Sequence, residues 1–118
     1  MENHNFNSEV EQGTMKFALD VLAFCGTVHE NSTTKSLLTQ LVRSSSLAGA
    51  NYRAAQRTTS DEEFSQKLRL TEEALDESLF FLEIFEFLLP EQKNVIDKME
   101  NTGKELIEML ESELEDRA

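Results

Sequence analysis

Tryptophan is missing from this chain, and among its 118 residues there are one cysteine, one tyrosine, one proline and four glycines. A lone Cys25 cannot form an intrachain disulfide and suits a reducing compartment. The glycines, at positions 13, 26, 49 and 103, are scattered, which excludes a glycine-rich phosphate-cradling loop. No stretch approaches the run of about 18 or more apolar residues that a membrane span requires. Met1 to Gln12 is polar and acidic and lacks the apolar centre of a signal peptide, so a cytoplasmic protein is expected. Few chain breakers beside abundant Leu, Glu, Lys and Ala is the composition of long helices. The length suffices for one hydrophobic core and not for two.

Basic charge is also scarce, and unevenly so. Residues 1–60 carry five acids and five bases, whereas residues 61–118 carry eighteen acids and six bases. The entire net charge of −12 therefore lies in the second half. Nucleic-acid affinity comes largely from Lys and Arg displacing counter-ions, so this balance disfavours a broad phosphate-binding surface.

Apolar spacing predicts a disordered polar tail over residues 1–13 and a four-helix bundle over 14–118. The first helix is expected from Thr14 to Val28. It carries two adjacent stripes: Met15, Ala18, Leu19, Leu22 and Cys25, the pattern of a buried face, and Phe17, Val21, Phe24 and Val28 beside it. The polar turn His29–Thr34 supplies cap candidates for a second helix reaching Arg57. Its face of Leu38, Leu41, Val42, Ser45, Ala48, Tyr52 and Ala55 is interrupted by small residues, Ser44-Ser45-Ser46 and Ala48-Gly49-Ala50. Serine and glycine weaken a helix by up to about 1 kcal/mol each, a cost that close approach of a neighbouring backbone would offset. Ser60 and Glu63 form a capping-box pattern that opens a third helix reaching Leu89. Pro90 then fits the first turn of a fourth helix, with Val95, Met99, Leu106, Leu110 and Leu114 on its buried side and Gly103 as an expected weak point or kink. Short turns between four helices predict an all-α, antiparallel up-down-up-down bundle.

Between Leu79 and Leu89 only Glu83 and Glu86 are polar. A helix apolar all round must be covered all round, and a monomeric bundle would leave Phe80 and Phe87 in water together. Self-association into a homo-oligomer is expected.

Chemistry-bearing residues are few. Glu77 falls on a stripe with Leu70, Ala74, Phe81, Ile84 and Leu88, where a carboxylate needs a partner, and Arg43, Arg53, Arg57 and Lys67 are the available cations. A structural network of Arg, Asn51 and Glu that fixes register or subunit contact is expected. Glu72, Glu73 and Asp76 on one helix, with Asp97 and Glu100 on the next, offer hard-cation ligands of the kind a magnesium-dependent all-α nucleotide pyrophosphohydrolase uses, although their order and spacing do not match that family's paired motif. The two histidines, His4 and His29, fall outside the helices where a di-iron carboxylate bundle would need them. Cys25 reads as a small core residue. Arg53, Arg57, Lys67 and Arg69 form a candidate nucleic-acid patch around the turn between the second and third helices, within an acidic field. The expected protein is non-enzymatic, with no cofactor, no metal, no membrane and no small-molecule substrate.

The stretch Arg43-Ser44-Ser45-Ser46-Leu47-Ala48-Gly49-Ala50-Asn51-Tyr52-Arg53-Ala54-Ala55 resembles a known family. So does Ser60, Phe64, Lys67-Leu68 and then Glu73-Ala74-Leu75-Asp76-Glu77-Ser78-Leu79-Phe80-Phe81-Leu82-Glu83. Both blocks are similar, in order and spacing, to the four-helix-bundle proteins encoded in 23S rRNA intervening sequences, once labelled ribosomal proteins. Two positions depart from the pattern: Ala54 stands where the family usually has Glu, and Phe80-Phe81 where it has a Tyr-Trp pair. The resemblance implies a four-helix bundle assembling into a ring-like homopentamer of unestablished molecular function. The candidate residues of the interface or its supporting network are Arg43, Asn51, Tyr52, Arg57, Glu73, Glu77, Phe80, Phe81 and Phe87. Related proteins serve as accessory factors of diversity-generating retroelements, where a basic ring contacts nucleic acid and a reverse transcriptase. A pI near 4.5 fits that role poorly.

Overall fold

Asn31 shows how local chemistry starts a helix in this chain. Its side-chain oxygen accepts from the amides of Thr33 and Thr34, while the Thr34 hydroxyl accepts from the Asn31 amide, a reciprocal cap that opens α2 (Ser32–Ala55). Ser60 repeats half of that device for α3 (Asp61–Leu88): its hydroxyl accepts from the Glu63 amide at 3.1 Å, and the Glu63 carboxylate stays in solvent. Asp61, Glu62 and Glu63 lie at the positive end of the helix dipole. Pro90 ends α3 by opening a 3-10 turn over Pro90–Gln92, rather than the first turn of the last helix, and α4 follows as Lys93–Arg117. The first helix, α1, spans Glu2–Cys25.

These bounds come from a computed structural model, which describes residues 2–117 and their side chains from Glu9 to Arg117. The chain is all-α, and its four helices pack in a cycle in which each touches its two neighbours, α1 with α2 and α4, and α3 with α2 and α4. Among the described residues the α1 and α3 backbones do not approach closely, so these two helices stand at opposite corners and meet through core side chains. At about 1.5 Å per residue, the 28 residues of α3 run the length of a molecule 45 Å long. Among the described residues no helix is long and apolar enough to cross a membrane.

The core is a column of fully buried side chains, with Phe17, Leu41, Tyr52, Leu75, Leu82, Phe85 and Ile96 among the largest. Phe24 and Phe85 meet edge-to-face at 5.5 Å between ring centroids. The small residues of α2 have the use expected of them: Ser44 and Ser45 are buried and α2 makes its most extensive contact with α3.

Three expectations are corrected. The disordered tail over 1–13 is replaced by helix, since α1 starts at Glu2 and Val10 is fully buried; Met1 lies outside the described residues. Of the two stripes on α1, Phe17, Val21, Phe24 and Val28 form the buried one, while Met15, Leu19 and Leu22 are 50%, 55% and 48% exposed. Gly103 is no kink. It is buried in an unbroken α4, where an added Cβ would stand 2.9 Å from Leu79 Cδ2 and 3.3 Å from Phe17 Cε1. Close helix approach is the reason for glycine there.

Candidate functional site

The buried side of α4 repeats every three to four residues, through Ile96, Met99, Gly103, Leu106 and Leu110, and two glutamates fall on it, Glu100 and Glu113. Glu113 is satisfied by Arg117, whose Nε donates to it at 3.1 Å. The same guanidinium donates through Nη1 to Asp61 at 2.9 Å and lies 4.0 Å over the Phe64 ring, tying the end of α4 to the start of α3. Glu100 has no such partner. It is 8% exposed, and its Oε2 is buried without a hydrogen bond.

Glu100 faces the last turns of α3 across the Pro90 turn. Carboxylate oxygens of Glu86, Asp97 and Glu100 lie within 4.8 Å of one another. Lys93 Nζ donates to Glu86 Oε2 at 3.2 Å and to the two Asp97 oxygens at 3.2 and 3.0 Å, which holds its ammonium above the usual range and leaves Glu100 unsatisfied. Burial, and then the Glu86 charge, push the Glu100 carboxyl up. Glu86 and Glu100 line an open groove of about 540 Å³ between α3 and α4, together with Asp76, Glu83, Lys104 and Glu108.

This regroups the acids marked in the sequence. Asp97 and Glu100 do come together, but with Glu86, which in the sequence is only a polar break in an apolar run. Glu72 instead faces Glu111, and Glu73 is exposed. The period of α4 was the signal for Glu100, because it stands four residues from Ile96 and three from Gly103.

Two apolar faces remain in solvent. On α3, Phe80 and Phe87 are 59% and 84% exposed, with Leu70, Leu88 and Val95 of α4 also exposed. Phe81 is half-buried and meets Phe80 edge-to-face at 5.7 Å. Val95, expected on the buried side of α4, thus belongs to the surface. On α1, Met15, Leu19 and Leu22 line, with Gly49, Ala50 and Arg53 of α2, a groove of about 330 Å³.

The expected Arg–Asn51–Glu network does not form within one chain. Glu77 is exposed rather than buried, since its stripe is a flank of α3, and Arg43, Arg57 and Glu73 are exposed too. Asn51 is half-buried, and Tyr52 is fully buried, its hydroxyl pushed well above the ordinary phenol range by burial. Of the candidate nucleic-acid residues, Arg53 lines the α1–α2 groove, Arg57 and Arg69 are exposed and Lys67 is half-buried. The cation on Asp61 is Arg117, from the far end of the sequence, and not Arg53 or Arg57. Cys25 is half-buried with its thiol pushed up by burial, the setting of an unreactive cysteine. His29 is exposed, and His4 lies outside the described side chains.

Among its described residues the chain is thus a four-helix all-α protein with an acidic groove between α3 and α4 and uncovered apolar faces on α1 and α3. No family model and no curated relative matches it. Among solved structures it is similar to a protein of unknown function from the S23 ribosomal protein family of Bacteroides thetaiotaomicron, 20% identical, with a TM-score of 0.83 over 93% of this chain and 98% of that one. The fold is therefore that of this neighbour, and the once-ribosomal family that α2 and α3 resemble in sequence is the family named for it.

Proposed function

We propose that this chain is a non-catalytic, self-assembling subunit of the intervening-sequence family, an up-down-up-down bundle that closes into a ring of identical copies. The observation that carries the reading is the joint exposure of Phe80 and Phe87, two aromatic rings seven residues apart on one face of α3. An exposed aromatic of this size forfeits roughly 1.5–3 kcal/mol relative to burial, so a face carrying two favours a partner.

A ring is supported by where the faces lie. The α1 and α3 helices occupy opposite corners, and each carries its own apolar face. Two different patches on opposite sides favour head-to-tail contact, which generates a ring when the rotation closes. Five subunits is what the sequence resemblance implies. Arg43, Arg57, Glu73 and Glu77, all exposed on the single chain, are then available to pair across subunits. A nucleic-acid role would rest on Arg53, Arg57, Lys67 and Arg69 against an overall charge of −12. That imbalance favours the structural reading.

Light scattering on the purified chain, with absorbance at 260 and 280 nm, tests this. The expected result is a single species near five times the 13.5 kDa chain mass, without excess absorbance at 260 nm. Phe80→Glu/Phe87→Glu is expected to give a folded monomer. A monomeric parent chain would overturn the reading, and salt-sensitive excess absorbance at 260 nm would replace it with the nucleic-acid one.

A further inference from the structure

Three carboxylates converge at the α3–α4 corner, and a single ammonium answers only two of them. Lys93 bonds Glu86 and Asp97, while Glu100 Oε2 is buried with no hydrogen bond, the Lys104 ammonium acting on Glu100 through its charge alone. A buried carboxylate oxygen without a partner costs free energy, so a chain that places one beside two other acids has left a position for positive charge.

We propose that Glu86, Asp97 and Glu100 form a binding site for a hard divalent cation, of the class of Ca²⁺, Mn²⁺ and Mg²⁺. The donor set consists of carboxylate oxygen alone, with no histidine or cysteine, which selects hard cations over zinc or copper. The spacing suits the class. Three oxygens spread evenly round one ion stand about 4.0–4.5 Å apart for Ca²⁺ and about 3.5–3.6 Å apart for Mg²⁺, from their usual bond lengths. Oxygens within 4.8 Å of one another therefore close on the larger ion with a sub-ångström contraction and on the smaller with a movement of about 1 Å.

The surroundings divide the labour between protein and water. Glu100 is buried and presents a dry ligand, whereas Glu86 and Asp97 are half-buried, so water completes the shell from the groove. Asp97 and Glu100 are three residues apart on α4 and share a face, and Glu86 reaches them from the far side of the Pro90 turn. Lys93 holds the place in the cation's absence and swings into solvent when it binds; its side chain is 61% exposed and free to do so. A bound ion thereby clamps the end of α3 to the start of α4, next to the face that carries Phe87. This inference does not rest on the proposed assembly.

Mn²⁺ titrated into the full chain and followed by electron paramagnetic resonance is the test, at about 150 mM salt so that diffuse attraction to an acidic protein is screened. One saturable Mn²⁺ per chain, displaced by Ca²⁺ or Mg²⁺, is expected. Glu100→Gln is expected to weaken it about tenfold or more. Glu105→Gln, an exposed acid on the same helix, is expected to leave it unchanged, and Lys93→Ala to strengthen it by removing the competing ammonium. Circular dichroism of metal-free Glu100→Gln, expected to match the parent, separates lost ligation from lost fold. Binding that never saturates, or that Glu100→Gln leaves intact, would overturn the site.

Discussion

Ser44 on α2 and Ser78 on α3 share a hydrogen bond 2.8 Å long in the middle of the bundle, both nearly or fully buried. Each hydroxyl also lies within bonding distance of a carbonyl of its own helix, Ser78 Oγ of Ala74 at 2.9 Å and Ser44 Oγ of Leu41 at 3.3 Å, so either can donate to the other, and the pair is satisfied without water. Two hydroxyls in direct contact bring the helices closer than two leucines would. The run of small residues that weakens α2 on its own therefore carries the largest helix contact in the molecule.

Ser44→Ala removes one donor and is expected to cost about 1 kcal/mol. Ser44→Leu forces α2 and α3 apart and is expected to cost more, about 1–3 kcal/mol. Urea unfolding followed by circular dichroism checks both. Equal costs for alanine and leucine would show that the helices are not held at contact distance here.

Gly103 and Leu79 give a second test of close approach, now between α4 and α3. An alanine Cβ at 103 would meet Leu79 Cδ2 at 2.9 Å, so the helix-propensity gain of about 1 kcal/mol is set against displacement of a core leucine. Gly103→Ala is expected to be destabilising in the parent chain and less so, or stabilising, in a Leu79→Ala background, where the space is vacated. The coupling in that double-mutant cycle is expected to be about 0.5–3 kcal/mol. Additive costs would mean that Gly103 is not held by Leu79.

These two contacts also mark what the sequence could and could not say. Helix ends were legible to within a few residues at Ser60 and Pro90, because caps and breakers act locally. The choice of buried stripe on α1 was not legible. Met15–Leu19–Leu22 and Phe17–Val21–Phe24 are both apolar, and only the positions of α2 and α4 decide between them. Glu77 was misplaced for the same reason: its stripe borders the core of α3 without entering it. The acidic corner was half legible, since Asp97 and Glu100 stood out as a pair. Their third member, Glu86, is brought near by the turn at Pro90, and no spacing along one helix reports that.

Glu72 provides the pH prediction. Its carboxyl is held above the ordinary range first by burial, then by a hydrogen bond to Glu111 across the α3–α4 contact, with the Asp76 charge adding to the effect and Arg69 opposing it. In the unfolded chain Glu72 titrates at its ordinary value, so between that value and the raised one the folded protein binds more protons. This group therefore stabilises the fold fully only below its unfolded pKa, and the contribution is lost as pH rises through the raised folded one. Acidification from pH 7 toward about 5 is expected to raise the urea midpoint of the parent chain. Because relief of general repulsion in so acidic a protein acts in the same direction, the comparison with Glu72→Gln is what isolates the pair. The variant removes the titrating group, so it is expected to be more stable than the parent at pH 7 and to gain less on acidification. Parallel pH profiles for parent and variant would show that Glu72 does not hold its proton against Glu111.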